Sequence, residues 1–283
     1  MLDFDVIESQ FRASVKVRPK LQPPQVKKVC VITDLDAAAA QAFGAKVRPF
    51  LKALDEDTEH ICLGADDVQG VRGMLGAVEA HKPDLIVTYR HLFDPEKDLP
   101  FSLGTYCDML TQTTVTPVLL LPTPGRPELD AAIKNTDRVM VLTDHLVGDG
   151  RLVNWGLRLV QDTGQITLVH IEDDAIFDRY LDAISKIPDL DTEVAKTQIA
   201  RRLLHEAEDY AEGVKEALQE TRPQLKVEMN IRLGHRVKDV LAVADNDGCD
   251  LVVLNTKDED QLAMAGKAYS LAVELIDKPL LLL

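Results

Sequence analysis

Apolar runs of strand length alternate along the whole chain with segments that have helical periodicity. The runs are almost continuously apolar, which is typical of parallel strands covered on both faces rather than of half-exposed strands. Nine strands are predicted, at residues 28–34, 60–64, 84–90, 117–121, 138–144, 165–171, 226–233, 250–256 and 279–283.

Between these runs, apolar residues recur at three- and four-residue intervals, as on the buried face of a helix. Helices are predicted at residues 37–55, 66–81, 104–113, 151–161, 174–187, 193–220, 236–246 and 266–276. Alternation of strands with helices predicts an α/β fold built on open parallel sheets.

Two stretches of the sequence are similar to each other: "DLIVTYRH" at 84–91 and "DLVVLNTKD" at 250–258. Each copy precedes a glycine and, 13 residues after it, a proline that opens an apolar run (Gly104 to Pro117, Gly266 to Pro279). The two halves are therefore predicted to be tandem open-sheet domains, the first of which lacks one strand-helix unit. The predicted divisions are an N-terminal arm at 1–26, a shortened first domain at 27–122, a linker at 123–136 and a second domain at 137–283.

Composition narrows the classes of function. The formal charge of −15 would repel the phosphate backbone, so we expect no nucleic acid partner. No apolar run approaches the roughly 18 residues needed to cross a bilayer, and the acidic start lacks a secretory pattern, so we expect no membrane insertion and a cytoplasmic location. The four cysteines form no CxxC pair, which favours reduced thiols over a metal site.

Several segments together resemble the universal stress protein family, and the chain resembles a tandem member of it. They are the strand ends at Thr33-Asp34 and Thr143-Asp144, "LVHIED" at 168–173, "RLGHRVKDVLAVADNDGCDLVVLN" at 232–255 and the glycine-helix-proline-strand endings. The resemblance implies a Rossmann-like, adenine nucleotide alpha hydrolase-like fold in each half. It also implies a ligand site beyond the carboxyl ends of the first and fourth strands, where the strand order reverses.

Nucleotide-binding members of that family carry G-x2-G-x9-G-[ST] after the fourth strand, where glycines let backbone N–H groups approach phosphates at a helix N-terminus. In the first copy the leading glycines are replaced by Tyr89 and Leu92, and only Gly104 and Thr105 remain. Arg90 and the helix start at Gly104-Thr105 offer donors that suit an anion. The segment is therefore read either as a solvated connection or as a site for an adenine nucleotide or another anion.

The second copy departs further from the motif. Asn255 and Asp258 stand at the glycine positions, and Lys267 follows Gly266 where a hydroxyl is needed. Acidic residues at 258–260 would lie near the phosphates, and like charges about 4 Å apart cost about 1–4 kcal/mol. We expect no ATP binding here in the family's usual manner.

The residues at the first strand of each half have two open interpretations. The resemblance implies that Thr33, Asp34, Thr143 and Asp144 contact adenine and ribose. Alternatively, the aspartates cap the turn or helix that follows, since aspartate is a favoured cap.

No catalytic residues are predicted, because no nucleophile-base or metal-ligand arrangement occurs at motif spacing. The favoured function is a non-catalytic stress-response or regulatory protein that acts through contacts with an unidentified protein client. The apolar terminal strands need a partner, so the two domains are expected to form a pseudo-dimer within the chain, with homodimer formation as a further expectation. The alternative is an adenine-nucleotide sensor or slow ATPase that uses the first domain's cleft.

Overall fold

A computed structural model describes residues 19–95, 101–143, 150–187, 191–256 and 266–283, with only the backbone of 266 and 267. The predicted α/β class with a mostly parallel sheet is confirmed. The strands are β1 (Lys28–Ile32), β2 (Glu59–Leu63), β3 (Leu85–Tyr89), β4 (Val118–Leu121), β5 (Arg138–Leu142), β6 (Gln165–Asp173), β7 (Lys226–Gly234), β8 (Leu251–Leu254) and β9 (Leu280–Leu282).

The helices follow the predicted segments closely, with small shifts at their ends. They are α1 (Ala37–Val47), α2 (Gly70–His81), α3 (Thr105–Thr113), α4 (Pro127–Ala132), α5 (Arg151–Leu159), α6 (Asp174–Ile184), α7 (Thr192–Thr221), α8 (Arg236–Asn246) and α9 (Gly266–Glu274). Nothing in the described part of the chain is both a helix and apolar for long enough to span a membrane.

Two predicted segments differ from the structure. The helix predicted at 37–55 ends at Val47 and continues as a 3-10 helix, Arg48–Leu51, because Pro49 lacks an N–H donor and restricts the residue before it. The segment 123–136, predicted as a linker, contains α4, whose Leu129 is buried together with the following Ile133. These two apolar residues are four positions apart, so they share one helix face.

The nine strands form one sheet in the order β2-β1-β3-β4-β9-β8-β5-β6-β7. All neighbouring pairs are parallel except β4 and β9, which are antiparallel, with Leu119 opposite Leu281. β7 extends the sheet beyond β6, and within the described residues no strand lies beyond β2 at the other edge. Strands β3, β4, β8 and β9 are buried at every position, so the core is deepest where the two sets of strands meet.

The repeated aspartate of the two sequence copies has the same role in both halves. Asp84 Oδ2 accepts hydrogen bonds from the amides of Lys27 and Lys28 at the start of β1, at 2.8 and 2.9 Å. Asp250 Oδ2 accepts one from the amide of Arg138 at the start of β5, at 2.8 Å. In each half this carboxylate ties the first strand to the strand that the aspartate precedes, β3 or β8, which accounts for its presence in both copies.

We predict that Leu281→Ala lowers the free energy of unfolding by about 2–5 kcal/mol, because it removes a fully buried side chain and leaves a cavity. Urea denaturation followed by circular dichroism measures the change. Val115→Ala, at a side chain that is 89% exposed, is the control and should change stability by less than about 0.5 kcal/mol. Equal effects of the two substitutions would contradict the conclusion that β9 lies in the buried centre of the sheet.

Candidate functional site

The sheet topology places the candidate site beyond β1 and β3. The chain passes from β1 to β2 on one side and returns to β3 on the other, and such a reversal leaves a crevice at the carboxyl ends of parallel strands. Asp34 follows β1, and Tyr89 is the last residue of β3. The next described helix along the chain is α3, which begins at Thr105.

Hydrogen bonds within the protein link the residues that border this crevice. The hydroxyl of Tyr89 donates a hydrogen bond to Asp34 Oδ1 and accepts one from the Asp34 amide, at 3.0 Å. The amide of Phe93 donates to Asp34 Oδ2 at 3.1 Å. Asp34, which the family resemblance assigns to ribose, therefore has both carboxylate oxygens bonded within the loop that would surround a ligand.

The residues that replace the two leading glycines are core residues. Tyr89 and Leu92 are fully buried, and the Tyr89 ring packs edge-on against Phe43 with centroids 5.3 Å apart. Burial raises the pKa of Tyr89 well above its usual range, with a further rise from its hydrogen bond to Asp34. The phenol is therefore neutral and acts as the hydrogen-bond donor to Asp34.

The start of α3 retains the glycine but has a carboxylate beside it. Gly104 has φ of +94°, and a Cβ added there would clash with Asp94 Oδ2 and lie 2.8 Å from His91 Cα. Asp94 thus lies at the N-terminus of α3, where a bound phosphate would benefit from the helix dipole. Thr105 is exposed as the first residue of this helix.

A second carboxylate, Asp108, lies in the first turn of the same helix. Partial burial raises its pKa to about 6, with a further rise from the nearby charge of Asp94. Among the described residues, Asp108 Oδ1 has no hydrogen-bond partner. Two carboxylates at this helix start oppose the entry of a polyphosphate.

Arg90 is directed away from the expected anion site. Its side chain is 2% exposed, and Nη2 donates to the Leu275 carbonyl at 2.8 Å, just beyond the end of α9. Burial lowers the pKa of the guanidinium to about 10, so the group stays charged at neutral pH and favours the negative end of the α9 dipole. Arg90 connects the two halves of the chain.

Thr33 and Thr143 occupy equivalent positions and are both buried. The Thr33 hydroxyl donates to the Leu63 carbonyl and the Thr143 hydroxyl donates to the Val169 carbonyl, each at 3.1 Å. Each therefore ties the end of the first strand of its half to the second strand. Asp144 and Asp258 lie outside the described residues, and Gly266 and Lys267 are described only as the first two backbone positions of α9.

Sequence reasoning anticipated that Tyr89 and Leu92 would replace glycines, but it missed Phe93 and Tyr269. Phe93 packs on Tyr106 with ring centroids 4.7 Å apart. Tyr269 of α9 packs against the core near Ser102 and Leu103; burial raises its pKa, and these two neighbours oppose the rise. The aromatic residues at 93 and 106 could have indicated a contact between these two positions. By contrast, nothing in the sequence around 102 and 103 indicates that position 269 lies nearby.

A polar cavity of about 330 Å³ lies elsewhere between the halves and is lined in part by Lys52, Arg158 and Arg222. Arg158 already pairs with Asp55 and Arg222 with Asp162, each at 2.8 Å. Because both guanidinium groups have carboxylate partners, the cavity offers little net positive charge to a ligand.

Comparison with known proteins identifies one half of the chain. Residues 135–266 match the model of the universal stress protein family, so this segment is similar to domains of that family. The match covers somewhat less than half of the 283 residues and does not include the first half. No functionally curated protein matches the chain.

Two solved structures from Pseudomonas aeruginosa have a similar fold over almost the whole chain. One, a functionally unknown protein, has a TM-score of 0.51 at 12% identity and covers 91% of this chain and 92% of its own. The other, a candidate universal stress protein, has a TM-score of 0.50 at 13% identity and covers 91% of this chain and 93% of its own. At this identity the similarity concerns the fold alone.

We predict that Gly104→Ala lowers the free energy of unfolding by about 1–3 kcal/mol, because an alanine at φ of +94° is strained and its Cβ clashes with Asp94 and the His91 backbone. Thermal and urea unfolding measure the loss. The matched control is Gly76→Ala inside α2, where a Cβ meets nothing within 4 Å. That control should raise the free energy of unfolding by about 0.5–1 kcal/mol. If Gly104→Ala also raised it, the close approach of Asp94 and the His91 backbone to Gly104 would be contradicted.

A second prediction concerns pH. The raised pKa of Asp108 means that the folded protein binds a proton here more tightly than the unfolded chain does. Asp108 therefore lowers stability as pH rises from about 4, its unfolded pKa, through about 6. Asp108→Asn should remove this loss, so its stability relative to wild type should be higher at pH 7.5 than at pH 4.5.

Urea denaturation at the two pH values measures that difference. Asp66→Asn, which removes an exposed carboxylate, is the control substitution. If the stability difference between Asp108→Asn and wild type were the same at both pH values, the Asp108 carboxylate would not be destabilised by its surroundings.

Proposed function

We propose that this chain is a tandem universal stress protein that acts as a non-catalytic regulatory protein through protein contacts rather than by binding nucleotide in its first half. One observation carries the proposal: the hydrogen bonds of Asp34 to Tyr89 and Phe93 occupy the crevice where a ribose would bind. The family match at residues 135–266 supports the stress-protein part of the proposal.

The tandem organisation, with units at 27–122 and 137–283, is part of this proposal. It is supported by two pairs of equivalent hydrogen bonds, those of Asp84 and Asp250 and those of Thr33 and Thr143. The antiparallel contact of β4 with β9 supports a pseudo-dimer within one chain. Such an arrangement covers the apolar terminal strand of each unit, which would otherwise be an exposed edge.

The alternative function, a nucleotide sensor or slow ATPase, requires the first crevice to open. Opening would break the hydrogen bonds of Asp34 and displace Tyr89 and Leu92 from the core. A buried hydrogen bond to a charged group contributes about 1.5–3 kcal/mol, and removing large core side chains costs more. A nucleotide would have to supply that energy before it gained any affinity.

Isothermal titration with ATP, ADP and AMP, with and without Mg²⁺, tests the proposal on the full chain. We expect no binding with a dissociation constant below about 1 mM, which corresponds to less than about 4 kcal/mol. Micromolar binding that is lost in Asp34→Asn but kept in Asp36→Asn would overturn the proposal in favour of the sensor. Asp36 is a suitable control because its carboxylate caps α1 through the Ala39 amide and takes no part in the crevice.

A further inference from the structure

The strand β7 leaves nine residues of backbone at one edge of the sheet. Within the described residues it pairs with β6 alone, and none of its positions, Lys226–Gly234, is buried. The strand at the opposite edge, β2, has five residues and ends in the buried Leu63. A long edge strand presents a row of N–H and C=O groups to which another strand can bond. Of the two edges, β7 therefore offers the larger surface for strand pairing.

A hydrogen bond to β6 shows which backbone groups of β7 face away from the sheet. The Lys226 amide donates to the Gly164 carbonyl at 2.9 Å, and the register with β6 is continuous from there to Gly234. The N–H and C=O of one residue point to the same side of a strand, and successive residues alternate. The even-numbered residues therefore bond to β6. The outward-facing groups belong to the odd-numbered residues: Val227, Met229, Ile231 and Leu233.

The polar side chains of β7 carry charges of both signs on one face. They occupy the even positions Lys226, Glu228, Asn230 and Arg232, whereas the odd positions are apolar. The side chains of Glu228 and Arg232 are each 46% exposed, and they pair with Lys226 at 2.7 Å and with Asp239 at 3.1 Å. Exposed ion pairs of this kind contribute little to stability. Glu228 and Arg232 can therefore exchange their partners at small cost.

The sequence of β7, KVEMNIRLG, is complementary to itself in an antiparallel arrangement. Directly opposite residues share a face of the sheet, so two copies have to meet with even positions opposite even positions. With Asn230 of both copies at a two-fold axis, all nine residues overlap and Glu228 of each copy lies opposite Arg232 of the other. An axis at Met229 would set Lys226 opposite Arg232, and an axis at Ile231 would set Glu228 opposite Gly234. Full overlap and charge pairing thus select the same register.

The same register also pairs the outward-facing backbone groups. It places Met229 opposite Ile231 and Val227 opposite Leu233, so residues with outward N–H and C=O groups face one another. They form the hydrogen-bonded pairs of an antiparallel ladder. Glu228 and Arg232 then fall at a non-hydrogen-bonded pair, where opposite side chains come closest. Backbone and side chains therefore agree on one arrangement.

We propose that β7 is the interface of a homodimer, in which two copies of the chain pair antiparallel about Asn230 and continue the sheet from one molecule into the other. A second copy is the occupant because the strand itself supplies the opposite charges in the register of full overlap. The edge strand β2 lacks this property, since two copies of it would set Glu59 opposite Leu63 and His60 opposite Cys62. The interface goes beyond the proposed regulatory role and does not depend on it.

Sedimentation velocity of the full chain tests the proposal, because it measures mass in solution. At about 1–100 μM we expect a species of twice the chain mass. Glu228→Arg places an arginine opposite Arg232 at two symmetric positions, and it should raise the dissociation constant of the dimer by about tenfold or more. Arg232→Glu should do the same. An equimolar mixture of the two variants again opposes arginine with glutamate, so it should associate about as tightly as wild type.

The matched control is Glu79→Arg, which makes the same change of charge at an exposed position of α2. It should leave the dissociation constant within about twofold. Asn230→Asp is a second disruptive substitution, because it sets two carboxylates opposite each other at the axis, and circular dichroism verifies that each variant is folded. A monomer over the whole concentration range would overturn the proposal. So would a dimer that Glu228→Arg and Asn230→Asp leave unchanged, or a mixture that associates no more tightly than its components.

Amide hydrogen exchange locates the interface along the chain. The amides of Val227, Met229, Ile231 and Leu233 should exchange about tenfold more slowly in wild type than in Asn230→Asp at the same concentration, since the dimer bonds them. Amides at even positions are bonded to β6 in both states and should change less. Slower exchange in β2 instead of β7 would assign the association to the other edge and contradict the proposal.

Discussion

The antiparallel pairing of β4 with β9 is the contact on which the rest of the molecule depends. Each strand ends a set of parallel strands, and each is apolar at every position. Left unpaired, each would expose backbone donors and acceptors beside a leucine-rich surface, which favours aggregation. Pairing them within one chain removes both edges and brings the crossing helices α3 and α9 to the same junction. Arg90 then adds a hydrogen bond across that junction, to the Leu275 carbonyl.

The same junction explains how the first crevice is closed. The segment after β3 is bonded to the end of α9 through Arg90 and the Leu275 carbonyl, and Tyr269 of α9 lies near Ser102 and Leu103. With its ends fixed, the loop turns Leu92 into the core and Asp94 towards the start of α3. A glycine-rich loop has to approach phosphates with its backbone, whereas this loop uses its side chains to complete the core. Structural use of the segment thus competes directly with ligand binding.

The fold was largely predictable from the sequence, because buried parallel strands and amphipathic helices have local signatures. The strand at 28–34 and the helix at 236–246 are found within two residues of their predicted ends. The site was predictable only in part. Tyr89 and Leu92 could be recognised as replacements for glycines, but the direction of Arg90 depends on an acceptor 185 positions away. The role of Asp94 likewise depends on a loop whose path is set by tertiary contacts, and no local pattern encodes such contacts.

The two copies of the repeated stretch differ in their side chains at the junction of β4 and β9. A two-fold symmetric homodimer could not have this difference. The amides of Arg90 and Thr256 make equivalent hydrogen bonds, to the carbonyls of Leu121 and Leu283. Their side chains diverge, since Arg90 crosses to the end of α9 while the Thr256 hydroxyl returns to the Leu283 carbonyl at 2.7 Å. A cavity of about 80 Å³ remains beside Thr256, near the end of α3. In a two-fold symmetric homodimer the same residue would occupy both positions. Because the halves are joined in one chain, an arginine can occupy just one of the two equivalent positions. Folding therefore has to desolvate one buried cation here rather than two.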